Sequence, residues 1–301
     1  MTSLVILLCT FRRPQVADTI ASLAAQTVEG IDLRLIVADN DDSPGAKDVV
    51  TRAAAALPFP CDYIHAPARN ISIARNACLD AAGDADWIAS LDDDEIASQD
   101  WLAALLSCAR ANPCDGVFGP VRAIYPPDAP EWMVELDPHS LTYHESMTAA
   151  VTTGGAGNSL LRWNGTAWQD QRFDLARGRT GGEDTAFFHK LHQMGARYAV
   201  ARDAEVTEIV LPQRLRLDWL AERRFRMGQT HVVTASGPLA RSRLFLRAAA
   251  KASYCRAREQ LLQNDEVQRN FWYLRGQLHR GVCAAILGRK EPVLYGHAEK
   301  S

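Results

Sequence analysis

The stretch "LVILLCTF", residues 4–11, is an uninterrupted apolar run near the start of a chain of 301 residues. A strand that is buried on both faces of a parallel sheet has this pattern, whereas a half-exposed strand alternates apolar and polar residues. The run ends at "RRP", and the apolar residues of "QVADTIASLAAQ" (15–26) then recur at helical spacing. The sequence therefore predicts a buried first strand followed by a helix.

The alternation of strand and helix continues to about residue 95. Three more stretches predict strands, at "IDLRLIVADND" (31–41), "CDYIHAP" (61–67) and "ADWIASLDDDE" (85–95). Helical patterns at 45–58 and 70–83 separate them. This order predicts an α/β fold, with a doubly wound, mostly parallel sheet that is flanked by helices.

The later part of the chain is less regular. Its patterns predict a helix after Asp100, a strand at 115–126, a Pro-rich loop at 126–140, a Gly-bearing strand at 152–163, a helix from about Glu183 to Gly195 and a strand region at 196–210. From Leu215 to about Gly288 the sequence is mainly helical and basic. We therefore expect two domains, residues 1–214 and a C-terminal helical extension of residues 215–301.

Composition excludes several classes of protein. The chain is 47% hydrophobic and 23% charged, as globular proteins are. Its seven cysteines include no C-x-x-C spacing, which argues against a disulfide framework and a structural zinc site. The opening "MTSLVILLCTF" has no basic region, so a strand is expected there and not a targeting peptide. No run of 18 strongly apolar residues predicts a membrane-spanning helix.

Charge is distributed unevenly along the chain. Residues 201–301 carry 18 Lys and Arg against 10 Asp and Glu, whereas the first 200 residues carry 15 against 26. A basic helical segment favours contact with an anionic surface. We expect residues 215–288 to hold the protein against anionic membrane lipid, with a helical subdomain that covers the sheet or forms a dimer as the alternative.

Four carboxylates stand together in "SLDDDEIASQD", residues 90–100. Asp92, Asp94 and Glu95 follow a predicted strand, and like charges so close together need solvent, a cation or a helix N-terminus beside them. Mg²⁺ and Mn²⁺ are typically held by one or two protein carboxylates together with substrate phosphates. A Mg²⁺ or Mn²⁺ ion shared with a diphosphate therefore explains the cluster, and the alternative is that Asp94 or Glu95 charges the first turn of the next helix.

Polar clusters follow three of the predicted strands, in "TFRRP", "DNDD" and "DDDE". In doubly wound sheets, ligands bind beyond the carboxyl ends of the strands. The sequence contains neither G-x-G-x-x-G after the first strand nor G-x-x-x-x-G-K-[ST]. It therefore predicts a ligand site at this edge of the sheet without the dinucleotide or P-loop fingerprints.

Five motifs in order resemble one family: "CTFRRP" (9–14), "VADND" (37–41), "RNISIARN" (69–76), "LDDDE" (91–95) and "GGEDTAFF" (181–188). They are similar to those of inverting family 2 glycosyltransferases of the GT-A fold, in particular bacterial exopolysaccharide enzymes of the succinoglycan type. The resemblance covers residues 3 to 230. It implies a metal-dependent hexosyltransferase that moves a sugar from a UDP-sugar to a glycan or polyprenyl-diphosphate-linked acceptor. It also implies that the protein lies in the cytoplasm or on the inner face of the cell membrane and has no nucleic acid partner.

The resemblance also implies roles for the residues of the donor site. Asp39 would bind the uracil, and the alternative is a turn-forming Asp in "DNDDSPG". Thr10 and Arg12 would contact the base and ribose, and Arg75 would lie near the nucleotide. Asp92 and Asp93 would contact the nucleotide-sugar. Asp94 and Asp92 would bind the metal. For Arg75 the alternative is a solvated helix face.

The "GGEDT" motif supplies a second acidic pair. Inverting transfer needs a carboxylate that deprotonates the acceptor hydroxyl, and the resemblance assigns this role to Asp184. Glu183 would contact the acceptor, unless it belongs to a capping box with Thr180 as the N-cap. Trp132 would stack on a sugar ring or fold back on the core. The alternative function is a metal-dependent nucleotide-binding protein or a sugar nucleotidyltransferase without glycosyl transfer.

Overall fold

The computed structural model describes residues 1–142 and 151–289. The strands are β1 Thr2–Thr10, β2 Ile31–Asp39, β3 Cys61–His65, β4 Trp87–Asp92, β5 Glu95–Ala97, β6 Gly116–Phe118, β7 Val121–Ile124, β8 Ser159–Arg162, β9 Tyr198–Val200 and β10 Val206–Ile209. The helices are α1 Val16–Ser22, α2 Lys47–Ala54, α3 Ile71–Ala82, α4 Trp101–Ala111, α5 Glu131–Leu136, α6 Glu183–Gln193, α7 Leu217–His231, α8 Pro238–Leu261 and α9 Glu266–Ile286. Short 3₁₀ turns follow at Leu23–Ala25, Pro212–Arg214 and Val232–Thr234.

The larger sheet confirms the predicted doubly wound topology. Within the described residues its strand order is β3-β2-β1-β4-β8-β6-β9. The pairs among β3, β2, β1 and β4 are parallel, whereas β8 runs antiparallel to both β4 and β6. A second, three-stranded sheet has the order β5-β10-β7.

Strand β1 explains why the opening run is apolar throughout. Leu4, Ile6 and Leu8 belong to the core on one face of the sheet, whereas Val5 and Leu7 belong to the core on the other face. Successive side chains of a strand point to opposite faces, so the middle of a central strand that is covered on both sides favours apolar residues at every position. The two cores therefore account for the pattern from which the fold was predicted.

Four of the sequence predictions on later elements differ from the structure. The single strand predicted at 115–126 is two strands, β6 and β7, which lie in different sheets. The break falls at Gly119 and Pro120. Gly119 lies so close to the carbonyl of Ala204 that a side chain there would overlap it, and Pro120 has no backbone N–H to donate to a neighbouring strand. The predicted Pro-rich loop contains α5. The predicted strands at 152–163 and 196–210 are shorter: only β8 forms in the first, and β9 and β10 form in the second.

The chain divides into two compact units. Of the described residues, 1–122, 141–142 and 151–208 form the first unit, and 123–140 with 209–289 form the second. The sequence places the domain boundary after residue 214 and does not assign 123–140 to the helical part. The predicted domain assignment stays a prediction, and residues 290–301 of the predicted extension lie outside the described residues.

The second unit contains the predicted C-terminal helices. Helices α7 and α9 approach each other closely through glycine, because a side chain at Gly228 would overlap the carbonyl of Leu278 and one at Gly281 would overlap the carbonyl of Phe225. A small core that includes Met133, Leu220 and Leu274 lies in the same unit. None of the helices in residues 1–142 and 151–289 combines the length and apolar content that are needed to cross a bilayer.

We expect Gly281→Ala to lower the free energy of unfolding on the order of 1–3 kcal/mol, because the added methyl group must push apart two backbones. Denaturant unfolding measures this change. The matched control is Gly276→Ala on the same helix, where the new Cβ would lie 3.4 Å from the Cβ of Cys255. That control should be neutral or stabilising, because alanine is favoured over glycine inside a helix by about 1 kcal/mol. Equal effects of the two variants would contradict the close packing of α7 on α9.

Candidate active site

The carboxyl ends of three adjacent strands bring the predicted donor residues to one edge of the sheet. In the parallel register Thr10 lies opposite Asp39, and Cys9 lies opposite Asp92. Three chain segments that are distant in sequence therefore end side by side. This is the edge at which doubly wound sheets bind ligands.

Asp39 is buried, with 1% of its surface exposed, and its carboxylate is largely occupied. One oxygen, Oδ1, accepts a hydrogen bond from the backbone N–H of Asp41 at 3.0 Å. The other, Oδ2, accepts from the hydroxyl of Tyr63 at 2.7 Å and from the N–H of Ala46 at 3.0 Å. The turn-forming alternative is therefore present in the structure. A carboxylate can accept about four hydrogen bonds, so Oδ1 has capacity for one more.

The two adjacent arginines of "TFRRP" point to different partners. Arg12 has a left-handed backbone with φ of 56°, and its guanidinium pairs with Asp41 at 2.7 Å. The hydrogen bond from Arg12 holds the pKa of Asp41 below its usual range. Arg13 instead reaches both Asp93, at 2.9 Å, and Asp94, at 2.5 Å. The sequence predicts a role for Arg12 and none for Arg13, although both belong to the motif.

The side chains of the acidic cluster differ in orientation and exposure. Asp93 points inward, where its Oδ2 accepts from the Thr10 hydroxyl at 2.7 Å and its Oδ1 accepts from Arg13. Burial raises the pKa of Asp93 to about 6, although the nearby Arg13 opposes this rise. Asp92 is far more open, with 47% of its side chain exposed. Thr10 and Asp93 thus support the loop that carries the two predicted metal ligands, Asp92 and Asp94.

Glu95 does not belong to a helix. It begins strand β5 and is buried, and its Oε2 accepts from the backbone N–H of Asp92 at 3.0 Å. The next helix, α4, has Asp100 as its N-cap and no acidic residue in its first turn. The helix-charging alternative for Asp94 or Glu95 is therefore wrong. Gly157 lies against this pair, since a Cβ there would come within 2.9 Å of both Asp92 Oδ2 and Glu95 Oε1.

Arg75 links the two acidic motifs. Its side chain is only 13% exposed, and its guanidinium pairs through Nη1 with Glu183 and through Nη2 with Asp92 at 3.5 Å. The ring of Phe173 lies 5.5 Å from the guanidinium carbon. Burial alone would lower the pKa of Arg75, but Glu183, Asp92 and Asp184 outweigh it and raise that pKa. The solvated-face alternative for Arg75 is wrong.

Helix α6 begins at the other predicted acidic pair. Its N-cap is Gly182, in a left-handed conformation, and no side chain caps the helix. The Thr180 hydroxyl instead donates to the carbonyl of Arg177. The capping-box alternative for Glu183 is therefore wrong, because Glu183 is turned inward against Arg75. Burial raises the pKa of Glu183, and Arg75 works in the opposite direction.

Asp184 faces the glycine-rich segment. Its Oδ1 accepts from the backbone N–H of Thr185 at 2.6 Å, and a Cβ at Gly155 would lie 3.6 Å from its Oδ2. Partial removal from water raises the pKa of Asp92, and the charges of Asp94 and Asp184 raise it further against the opposing charge of Arg75. The carboxylates of both motifs therefore act on one another electrostatically.

Trp132 lies in the second unit. It is half-buried in α5 and packs against the core that includes Met133 and Leu220. This is the core-packing alternative for Trp132. Its predicted contact with the acceptor stays a prediction.

The acidic residues fit a divalent cation that is held in part by substrate. Among residues 1–142 and 151–289, no group of three His, Cys, Asp or Glu side chains is arranged to enclose a metal ion by itself. Asp92 and Asp94 nevertheless supply the hard oxygen ligands that Mg²⁺ and Mn²⁺ prefer. Burial is the main cause of the raised pKa of Asp92, and the charges of Asp94 and Asp184, which a cation would offset, raise that pKa further. Two protein carboxylates leave the remaining coordination positions to a diphosphate and water.

Two solved structures have a similar fold. The mannosyltransferase PcManGT from Pyrobaculum calidifontis, in complex with GDP-Man and Mn²⁺, matches with a TM-score of 0.64 and 18% identity, over 96% of this chain and 88% of that one. Residues 1–349 of S. aureus TarS, in complex with UDP, match with a TM-score of 0.51 and 12% identity, over 95% of this chain and 90% of that one. These likenesses confirm the GT-A fold.

Sequence relatives lead to the family. "Succinoglycan biosynthesis protein ExoM" of Rhizobium meliloti is 43% identical over 97% of this chain and 95% of its own length. "Glucosyl-dolichyl phosphate glucuronosyltransferase" of Haloferax volcanii is 26% identical over 74% of each chain. The family model for glycosyl transferase family 2 matches residues 5–163, which hold four of the five motifs. The chain therefore belongs to glycosyl transferase family 2.

Proposed function

We propose that this glycosyltransferase moves a hexose from a UDP-sugar, with inversion, to a lipid-linked precursor of an exopolysaccharide. The observation that carries the proposal is the convergence of Asp92, Arg75, Glu183 and Asp184 beyond the carboxyl ends of the parallel strands. Inverting sugar transfer needs groups that neutralise the charge of the leaving diphosphate and a base that deprotonates the acceptor hydroxyl. The two acidic motifs can supply both.

The donor end of the proposed site is formed by Asp39, Thr10 and Arg12. The uracil N–H would donate to the remaining acceptor position on Asp39 Oδ1. Arg12 is connected to Asp39 through Asp41, because Arg12 pairs with the Asp41 carboxylate and the Asp41 backbone N–H donates to Asp39. Thr10 acts indirectly in this proposal, because its hydroxyl is engaged by Asp93. The UDP complex of the TarS neighbour supports a uridine donor, whereas GDP-Man in PcManGT is the competing precedent.

A divalent cation, Mg²⁺ or Mn²⁺, would be held by Asp92 and Asp94 and would neutralise charge on the leaving diphosphate when bound. Arg13 holds Asp94 in place through their ion pair. Asp93 is assigned a supporting role, because both of its oxygens are directed to Thr10 and Arg13. The Mn²⁺ in the PcManGT neighbour supports the use of a divalent cation.

Asp184 is the proposed general base. It removes the proton from the acceptor hydroxyl as that oxygen attacks the sugar from the face opposite the diphosphate. Glu183 is assigned to positioning and not to the acceptor, because its carboxylate is 8% exposed and turned to Arg75. The proposed acceptor is a glycan on a polyprenyl diphosphate at the inner face of the membrane. The succinoglycan relative supports a role in exopolysaccharide synthesis, and the relative named for glucosyl-dolichyl phosphate supports a lipid-linked acceptor.

Metal-dependent donor binding tests the proposal. We expect Asp94→Asn to weaken UDP binding in Mn²⁺ by roughly 10- to 100-fold, the range seen when a group that supports a metal is removed. Calorimetric titration with UDP, with Mn²⁺ and with a chelator, measures the effect. The matched control is Asp100→Asn, an exposed acid at the N-cap of α4, which should bind as the wild type does. Unchanged UDP affinity of the Asp94 variant in Mn²⁺ would refute the metal assignment.

A further inference from the structure

Helix α8 presents an apolar stripe to solvent. Leu239, Leu246, Tyr254 and Leu261 are 67%, 67%, 57% and 78% exposed, respectively. They recur every seven or eight residues, which is two helical turns, so they lie along one face. The opposite face, which includes Ala248 and Cys255, is buried within the helical unit. The helix is therefore apolar on two sides, and only one of them is covered by the described residues.

Basic residues flank the exposed stripe. Arg243, Arg247 and Lys251 are exposed and follow one another at intervals of four, which places them in a row along one edge. Helix α8 carries six Arg and Lys residues in total and one acid, Glu259. The side chain of Glu259 is only 19% exposed and pairs with Arg256 at 2.8 Å. The exposed face thus has positive charge without an acidic residue to offset it.

We propose that the outer face of α8 binds an anionic lipid surface, with the four apolar side chains in the headgroup boundary and the basic row on lipid phosphates. Amphipathic helices with this division of leucine and arginine lie in the plane of the interface, and their long basic side chains reach back to the headgroups. Charge argues against a second copy of the chain, because a self-complementary contact would set Arg243, Arg247 and Lys251 of two copies close together with no acid between them.

Vesicle flotation of the full chain, without donor or acceptor, tests the proposal independently of sugar transfer. We expect the protein to float with vesicles of phosphatidylcholine and phosphatidylglycerol at low salt, less at high salt, and weakly with phosphatidylcholine alone. Arg247→Gln with Lys251→Gln should weaken binding about 30-fold, since each basic residue near an anionic surface contributes about 1 kcal/mol. Leu239→Gln with Leu246→Gln should also release the protein.

The control variants make the same kinds of substitution at exposed positions outside α8. Arg52→Gln with Arg110→Gln makes the same change in net charge at exposed positions of the first unit, and Val134→Gln replaces another exposed apolar residue, which is 49% exposed. These variants should float as the wild type does. The proposal is overturned if the wild type stays unbound with anionic vesicles, if the α8 variants float normally, or if sedimentation finds a dimer that Leu246→Gln dissociates.

Discussion

Replacing Asp184 by Asn is expected to lower turnover by roughly 10²–10⁴-fold, the usual contribution of a positioned general base. Affinity for the UDP-sugar and the metal should stay close to that of the wild type, because Asp184 lies on α6 with its side chain against Gly155, whereas the proposed metal ligands lie at the end of β4 and in the turn that follows it. The measurement combines sugar transfer to an acceptor with calorimetric titration of the donor.

The matched control for Asp184 is Asp170→Asn, an exposed acid of the same unit. It should transfer sugar normally. Normal transfer by the Asp184 variant would remove the proposed base from the mechanism. If that variant instead lost donor binding as well, "GGEDT" would belong to the nucleotide site and the base would be another residue.

Replacing Arg75 by Met should cost both stability and activity. The change leaves Glu183 buried without a cation and removes the partner of Asp92, and breaking one side of a buried pair typically costs about 3–5 kcal/mol. Turnover should fall because Asp92 and Glu183, at the start of α6, lose the guanidinium that pairs with both. Denaturant unfolding and transfer assays measure the two effects, and Arg75→Lys should recover only part of them, since lysine cannot engage two carboxylates through a planar fork.

A second substitution separates a positioning role from a direct contact with the nucleotide. Adding Glu183→Gln to Arg75→Met removes the buried charge and should restore much of the free energy of unfolding, while turnover stays low. If Arg75 only bound the nucleotide, Arg75→Met would weaken donor affinity and leave the unfolding free energy unchanged. The double variant would then show no rescue.

The sheet and its ligand-binding edge could be predicted because they follow from local patterns. The apolar run at 4–11 requires a strand covered on both faces, and parallel pairing then fixes Thr10, Asp39 and Asp92 at the same edge. The family resemblance added roles to these positions.

The partners inside the site could not be predicted, because they depend on backbone handedness and on distant packing. Arg12 and Arg13 are equivalent in sequence, and only the left-handed turn at Arg12 sends one to Asp41 and the other to Asp93 and Asp94. Likewise "TGGE" matches a capping box, but Gly182 takes the cap position and Glu183 turns to Arg75, which lies 108 residues earlier. The sequence contains no signal for that long-range pair.

The phosphorus products of the reaction test the central claim most directly. Phosphorus NMR of the wild type with UDP-sugars, Mg²⁺ (which, unlike Mn²⁺, does not broaden phosphorus signals) and a lipid-linked acceptor should detect UDP as the donor signal disappears, and Asp184→Asn should form it far more slowly. The proposal predicts no pyrophosphate when UTP and a sugar phosphate are supplied instead. Pyrophosphate from UTP, with no UDP formed from any UDP-sugar, would contradict glycosyl transfer from a uridine donor and favour a nucleotidyltransferase.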